Sequence, residues 1–328
     1  MTNPNIRMGL QIPIFSYPDV APGDLFERIS DIAVTAEDAG FDSVFVMDHF
    51  YQLPGLGRPE ENMFEAYTLL SALAACTNTV RLGCMVGGMT YRNPAFLAKT
   101  VSCLDVISKG RAIWGIGAGW FEKEHDEYGF EFGSFSDRFE KLEEGLQIAK
   151  SMFSNDTTTF DGKWFHVRDA LNVPKPIQAG GPPILIGGSG EKKTLRMVAQ
   201  YGDACNVFGT AQHVAHLMAV LDGHCDSLGR DPADICRTRL ATLVVGRTME
   251  AAEAKLSARM GGATIDSMPA DMQARMRAMF IVGDSDEVGA KVQELLDAGL
   301  DGIVCNMPDA HDLEAVALAG DTLAKVFA

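Results

Sequence analysis

The chain has 328 residues, a length that a single α/β barrel can occupy. Hydrophobic residues make up 47% and charged residues 22%, as in ordinary globular proteins, and no apolar run is long enough to span a membrane. The formal net charge of −16 disfavours binding to nucleic acid or to anionic membrane surfaces. We therefore expect residues 1–328 to form one soluble domain without a nucleic-acid or membrane partner.

The N-terminus and the cysteines indicate a cytoplasmic protein. The first residues lack the basic start, apolar stretch and cleavage site of a secretory signal. The seven cysteines are scattered and form no C-x-x-C pair, which is typical of reduced thiols. His213 and His216 lie three residues apart, but no carboxylate or thiolate set completes a metal site, so we expect no metal.

Short β-rich runs alternate with longer helical patterns from Met8 onward, which is typical of repeated βα units and a parallel sheet. Each run is nearly continuously apolar, as expected of strands that are buried on both faces. The pattern predicts a (β/α)8 TIM barrel, an α/β fold, with strands at residues 8–15, 43–47, 80–86, 111–117, 183–187, 204–208, 239–245 and 302–306.

Helix ends are marked by residues with known end preferences. Gly40 closes the first predicted helix, Pro94 opens another, and Ser134 or Ser136 can cap a third. These helices are predicted to span residues 24–39, 94–108 and 136–153.

Three stretches exceed a minimal barrel, at residues 120–135, 153–182 and 261–277. The first is acidic and aromatic, the second carries TFDGKWFHV and a tail rich in Pro and Gly, and the third is rich in Gly and Met. Segments that follow barrel strands lie at the active-site end, so the insertions after strands 4 and 7 are predicted to form substrate walls. For the third stretch, a disordered surface insertion is the alternative.

The segment PPILIGGSGEKKTL, residues 182–195, is the sharpest signal for an anion site. An apolar strand ends in a glycine-rich turn, and a helix follows, so free backbone N–H groups and the positive end of a helix dipole converge there. The turn matches neither the Walker A nor the G-x-G-x-x-G pattern, which argues against an NTPase or a Rossmann domain. A tight turn that binds nothing is the alternative.

Two further glycine clusters favour a flat ligand. In WGIGAGW, residues 114–120, glycines allow a ring to approach the backbone, and Trp120 could stack on it or close the pocket. In RLGCMVGGMTYRNP, residues 81–94, Gly87 and Gly88 permit an irregular backbone beneath a planar ligand. A loop that only needs positive φ explains the second cluster equally well.

The stretch DSVFVMDHF, residues 42–50, is a buried strand that ends abruptly in Asp48 and His49. In a barrel this position lies at the chemical face. Histidine can donate or accept a proton near neutral pH, so His49 is the candidate acid or base. A histidine satisfied by local polar groups is the alternative.

Together, these segments resemble the luciferase-like monooxygenase superfamily, whose TIM barrels bind a flavin or the related deazaflavin coenzyme. The D-H pair, the bulge after strand 3, N-P-A, G-x-G-x-G and the strand 5 glycine loop occur in the same order. GAGW and IGGSG are most similar to the branch that uses coenzyme F420. The resemblance implies an oxidoreductase that transfers a hydride between F420 and a small organic substrate. The alternatives are an FMN-dependent monooxygenase with a separate reductase, and a non-catalytic flavin-binding barrel.

The resemblance also assigns residues to the site. It implies that Asp48 and His49 lie beside the ring, with His49 as the catalytic group. It further implies a cis peptide between Met85 and Val86 that supports the ring. The remaining cofactor contacts implied are Gly117, Ala118, Gly119 and Trp120 in the cleft, and Ile186, Gly187, Gly188, Ser189 and Gly190 at the side chain or phosphate.

One departure from the family bears on the substrate. The sugar-phosphate dehydrogenases of this superfamily have an acidic residue where this sequence has Trp120, so a sugar phosphate is in doubt and an apolar or planar substrate is favoured. Glu124 and His125 could contact that substrate, or could belong to a solvated acidic lid. The resemblance also implies a homodimer and a flavin or F420 reductase as a partner.

Overall fold

Parallel strands form a closed barrel at the centre of the chain. The computed structural model describes residues 3–328. Within that range, eight strands pair in parallel, each with the next and the last with the first. The predicted (β/α)8 TIM barrel is therefore confirmed.

The barrel strands lie close to their predicted positions: six of the eight are one to three residues shorter, the seventh begins three residues earlier, and the last is as predicted. The strands are β1 (Met8–Ile12), β2 (Ser43–Val46), β3 (Arg81–Cys84), β4 (Gly87–Gly88), β5 (Ala112–Gly117), β6 (Thr157–Asp161), β7 (His166–Leu171), β8 (Ile184–Gly187), β9 (Ala204–Val207), β10 (Cys236–Val245), β11 (Phe280–Gly283) and β12 (Gly302–Asn306). The barrel consists of β1, β2, β3, β5, β8, β9, β10 and β12.

Helices surround the barrel, and their ends follow the sequence signals. Ser134 caps the helix that follows, in a capping box with Asp137, and Asn93 caps the helix that opens at Pro94. The helices are α1 (Leu25–Asp38), α2 (Ala66–Cys76), α3 (Pro94–Ile107), α4 (Glu122–Tyr128), α5 (Phe135–Ser154), α6 (Thr194–Tyr201), α7 (Ala211–Leu228), α8 (Met249–Arg259), α9 (Ala270–Met279), α10 (Ser285–Asp297) and α11 (Leu313–Val326). None of the helices in the described residues is long and apolar enough to cross a membrane.

The barrel strands bury both faces, which explains their continuous apolar runs. In β2, Val44 and Val46 pack into the layer between strands and helices, whereas Phe45 packs in the barrel interior with Met85 and Val304. Side chains alternate along a strand, so every residue of β2 is buried on one face or the other. Burial of each large side chain contributes about 1.5–3 kcal/mol, so the strand ends are held firmly.

The stretches outside the minimal barrel contain structure that the sequence patterns did not predict. The second stretch folds into the antiparallel hairpin of β6 and β7. The third stretch begins just after α8 and contains a single turn of 3₁₀ helix and most of α9, which leads into β11; β11 pairs with the end of β10. The disordered alternative for the third stretch is therefore wrong. β11 was not predicted because its four residues follow a helix without an intervening turn signal.

Candidate active site

A cavity of about 670 Å³ opens at the carboxyl ends of the barrel strands. Every barrel strand supplies a lining residue, in most strands at the end or just beyond it. This is the end at which barrel enzymes carry their active sites. One lining residue for each strand, in chain order, is Gln11, Asp48, Met85, Gly117, Gly187, Asn206, Thr242 and Asn306.

Two thirds of the residues predicted for the site line this cavity. Of the remainder, Ile186 is fully buried, and the Ser189 hydroxyl accepts a hydrogen bond from the Phe208 N–H at 3.0 Å. Gly190, Glu124 and His125 also lie outside the lining. The predicted residues that line the cavity are Asp48, His49, Met85, Val86, Gly117, Ala118, Gly119, Trp120, Gly187 and Gly188.

The bulge between β3 and β4 pushes Val86 towards the cavity. The peptide between Met85 and Val86 is cis, as the resemblance implied. A Cβ atom at Gly187 would lie 2.7 Å from a methyl carbon of Val86, and one at Gly115 would lie 1.8 Å from the Cys84 carbonyl oxygen. Glycine is therefore required at both positions to admit the bulge, which leaves Val86 as a raised apolar support in the wall of the cavity.

Asp48 is held by an arginine that the sequence analysis missed. Arg92 donates to both carboxylate oxygens of Asp48, at 2.7 and 2.8 Å, and also to Glu65 at 2.6 Å. Its guanidinium lies 5.0 Å from the centre of the Tyr67 ring. Burial lowers the pKa of Arg92, but the two carboxylates outweigh burial and the pKa lies above its ordinary value. Asp48 thus anchors the end of β2.

His49 lies beside Asp48 with one ring nitrogen engaged and the other free. Its Nδ1 lies 3.0 Å from Oε2 of Glu124. Within residues 3–328 no hydrogen-bond partner is found for Nε2, and the residue lines the cavity with 12% of its side chain exposed. Trp120 and Phe121 meet the imidazole edge to face, at 5.6 and 5.7 Å between ring centres. The free nitrogen can therefore exchange a proton with a molecule in the cavity.

Glu124 is fully buried behind His49. Its Oε1 accepts hydrogen bonds from the N–H groups of Phe50 (2.6 Å) and Tyr51 (3.1 Å), and its Oε2 accepts from the Tyr91 hydroxyl (2.6 Å). Burial raises the pKa of Glu124, but the hydrogen bonds from His49, Tyr91 and the backbone lower it more, so its pKa lies below the ordinary value. The carboxylate is ionised at neutral pH.

His125 is also fully buried, and it holds the start of α4. Its Nδ1 donates to the Phe121 carbonyl at 2.9 Å, and its Nε2 lies 2.6 Å from the Thr90 hydroxyl. Burial lowers the pKa of His125, so the ring is neutral, and Thr90 must donate to Nε2. A solvated acidic lid at Glu124 and His125 is therefore excluded, and their placement behind His49 gives no support to direct substrate contact.

Helix α5 contributes a cavity face that the sequence analysis did not single out. Phe135, Arg138, Phe139 and Leu142 line the cavity at helical spacing. Nη1 of Arg138 donates to the Gly133 carbonyl at 2.8 Å, and its buried Nε has no hydrogen-bond partner among residues 3–328. The alternation of aromatic and basic residues at this spacing was the signal that could have identified Arg138.

The residues present fit a planar ring with an anionic side chain. Val86 and the backbone at Gly117 and Gly187 bound a flat apolar space, and Arg138 offers a cation whose Nε lacks a partner. The Gly188 N–H is taken by the Asn206 carbonyl, so Ser189 and Gly190 are the donors of this turn that a phosphate can use.

No group of three His, Cys, Asp or Glu side chains that could hold a metal ion occurs in the part of the chain that the structure describes. Two of the three histidines of α7, His216 and His224, are engaged with Glu191, and His213 stacks on His216. Nε2 of His216 lies 3.1 Å from a Glu191 carboxylate oxygen, and Nε2 of His224 lies 2.8 Å from the Glu191 carbonyl.

The barrel, the bulge and the histidine at the cavity define a TIM-barrel enzyme of the kind that works with a flavin or deazaflavin coenzyme. The chain belongs to the luciferase-like monooxygenase family, whose model matches residues 6–302. Its relatives include both F420-dependent oxidoreductases and flavin monooxygenases.

Similarity extends over nearly the whole chain. An F420-dependent glucose-6-phosphate dehydrogenase of Amycolatopsis mediterranei is 30% identical over 318 residues, which cover 89% of this chain and 90% of that protein. The coenzyme F420 dependent tetrahydromethanopterin reductase of Methanopyrus kandleri has a TM-score of 0.78 at 20% identity, covering 98% of this chain and 99% of the other. The FMN complex of a type II Baeyer-Villiger monooxygenase of Pseudomonas putida has a TM-score of 0.77 at 17% identity, covering 98% of both chains.

Proposed function

We propose that the protein is an oxidoreductase that transfers a hydride between coenzyme F420 and a small organic substrate. The observation that carries the proposal is His49, whose Nδ1 is held by a buried carboxylate while its Nε2 is free at the cavity. The relatives support F420, because the Amycolatopsis mediterranei protein and several others similar to this chain are F420-dependent dehydrogenases.

The chain would hold the coenzyme by shape and by charge. Val86 and the glycines at 117 and 187 would support the ring, and Arg138 with the Ser189–Gly190 turn would hold the anionic side chain. When bound, the coenzyme supplies hydride chemistry that no side chain provides. The protein contributes position, exclusion of water and a proton.

His49 moves that proton. If the substrate is reduced, the protonated ring donates from Nε2 to the oxygen that gains negative charge; if an alcohol is oxidised, the lone pair of Nε2 accepts the hydroxyl proton. A general acid or base in this position contributes about 10²–10⁴-fold to the rate. Because Trp120 and Phe121 flank the imidazole, the substrate meets aromatic surface beside it. This wall favours an apolar or planar substrate.

Two partners complete the proposal. A separate F420 reductase would regenerate the reduced coenzyme, as would a flavin reductase if FMN is used. We also propose a homodimer in solution.

The second candidate is an FMN-dependent monooxygenase. The monooxygenase among the relatives supports it, and Arg138 at the cavity suits the phosphate of FMN as well as that of F420. In this case the same apolar walls would shield oxygen chemistry from water.

A binding titration tests the coenzyme. Purified protein is titrated with oxidised F420 and, separately, with FMN, and the change in cofactor fluorescence is followed. Saturable binding of F420 at least tenfold tighter than binding of FMN supports the proposal. Tighter binding of FMN would replace it with the monooxygenase.

A further inference from the structure

Glu124 divides its hydrogen bonds between its two carboxylate oxygens. Among the residues that the structure describes, Oε1 accepts only the backbone N–H groups of Phe50 and Tyr51, whereas Oε2 accepts only from side chains, the Tyr91 hydroxyl and Nδ1 of His49. The first oxygen joins α4 to the chain that follows β2. The second faces the group that would exchange a proton with substrate.

The bonds at Oε2 determine which nitrogen of His49 carries hydrogen. An ionised carboxylate accepts hydrogen bonds and donates none, so Nδ1 must be the donor. Burial and Glu124 raise the pKa of Tyr91 far above its ordinary value, so the Tyr91 hydroxyl also stays a donor. The neutral imidazole is therefore the Nδ1–H tautomer, with the lone pair of Nε2 at the cavity.

We infer that Glu124 is a positioning residue, which acts on the reaction by fixing the orientation and tautomer of His49. The inference rests on the proposed role of His49 in proton exchange. It replaces the direct substrate contact predicted for Glu124 from the sequence. The ionised carboxylate also stabilises the positive charge that the ring carries once Nε2 has accepted a proton.

The surroundings of His49 make Glu124 its sole charged contact in the described residues. Trp120 and Phe121 cover the imidazole with apolar rings. The neighbouring carboxylate of Asp48 is neutralised by two bonds from Arg92. A purely structural Glu124 would need only the two bonds at Oε1, because these already join α4 to the main chain.

Glu124→Gln separates the structural role of Oε1, which holds the main chain, from the positioning role of Oε2, which holds His49. Glutamine keeps an oxygen for the N–H groups of Phe50 and Tyr51 and replaces Oε2 by an NH₂ group. That NH₂ donates to Nδ1 of His49, so the neutral ring must take the Nε2–H tautomer. Glu127→Gln is the matched control, since Glu127 lies on the same helix, is 45% exposed and pairs with Lys123 at 2.8 Å and with the Tyr51 side chain, while making no contact with His49.

The direct test is nitrogen-15 NMR of the histidine rings without coenzyme, on the unsubstituted protein and on both variants, with His49→Gln to assign the signals. We expect hydrogen on Nδ1 of neutral His49 in the unsubstituted protein and in Glu127→Gln, and on Nε2 in Glu124→Gln. Hydrogen on Nε2 in the unsubstituted protein would overturn the inference, and this result does not depend on the folding of Glu124→Gln.

Kinetics then connect the tautomer to the reaction. Glu124→Gln should lower kcat with F420 by about 10²–10⁴-fold and flatten its pH dependence, with KM and F420 affinity changed less than about threefold. A shifted tautomer with unchanged kcat and pH profile would overturn the positioning role. The unsubstituted protein could instead show the expected tautomer but no turnover with F420. That result would count against the proposed function, while the conclusion that Glu124 fixes the tautomer would still be supported.

Discussion

Arg92 binds both carboxylate oxygens of Asp48, with Nη1–Oδ2 and Nη2–Oδ1 distances of 2.7 and 2.8 Å. Asp48 is 3% exposed and also accepts the Gly88 N–H at 3.3 Å. The ion pair and this hydrogen bond together tie the end of β2, next to His49, to the chain that follows the bulge at Val86. One buried carboxylate therefore joins two walls of the cavity.

Replacement of Arg92 should destabilise the protein strongly. Arg92→Met leaves the Asp48 carboxylate buried without its partner, which costs about 3–5 kcal/mol of unfolding free energy. Denaturant unfolding measures the loss. Arg247→Met is the control, because Arg247 and Glu314 are 82% and 87% exposed and an exposed pair contributes about 0–1 kcal/mol. Equal losses in the two variants would contradict the role given to Arg92.

Loss of the imidazole should affect turnover much more than coenzyme binding. In His49→Ala, kcat should fall about 10²–10⁴-fold because proton exchange is lost, while the affinity for F420 should stay within a few-fold. Steady-state kinetics and the fluorescence titration give the two numbers. His216→Ala, on the exposed face of α7, should leave both unchanged. Normal turnover in His49→Ala would remove His49 from the mechanism.

Trp120 should contribute to binding of apolar substrates. Its side chain is 63% exposed at the cavity, so a bound substrate can cover it. Trp120→Ala should raise KM for an apolar substrate about five- to thirtyfold, equivalent to about 1–2 kcal/mol of lost contact, and Trp120→Phe should raise it less. Phe96→Ala, which removes an equally exposed aromatic ring on α3, is the control. An unchanged KM in Trp120→Ala would place the substrate elsewhere.

Buried His125 should make stability depend on pH in a definite direction. Burial lowers its pKa below 6.5, so as the pH falls below 6.5 the unfolded chain gains a proton that the native protein does not. Unfolding free energy should fall through that range, down to the lowered pKa. His125→Gln should be less stable at neutral pH but should lose less on acidification. Urea unfolding at several pH values checks this, and parallel curves for both proteins would contradict it.

The sequence predicted those parts of the fold and site that depend on local pattern. β2 could be predicted because Val44, Phe45 and Val46 are all apolar. Asp48 and His49 could be predicted as site residues because these polar side chains follow that run immediately. Ser134 was readable as a cap because capping depends on neighbours within one turn.

Contacts between residues that are distant in the sequence could not be predicted. Glu124 lies 75 residues from His49, and Arg92 lies 44 from Asp48, so only the closed barrel brings them together. Glu124 therefore looked like part of an exposed acidic segment, although it is fully buried. The hairpin of β6 and β7 was missed for a similar reason, since its strands pair with each other and carry no barrel pattern.

The central claim is hydride transfer with F420 and a proton from His49, without oxygen. It is tested most directly by mixing the protein under argon with chemically reduced F420 and a panel of enones, nitroaromatics, ketones and aldehydes, and following the return of oxidised F420 absorbance. We expect substrate-dependent oxidation of F420 in the absence of oxygen, reduced at least about 10²-fold in His49→Ala. Turnover that occurs only with reduced FMN and consumes oxygen would contradict the account.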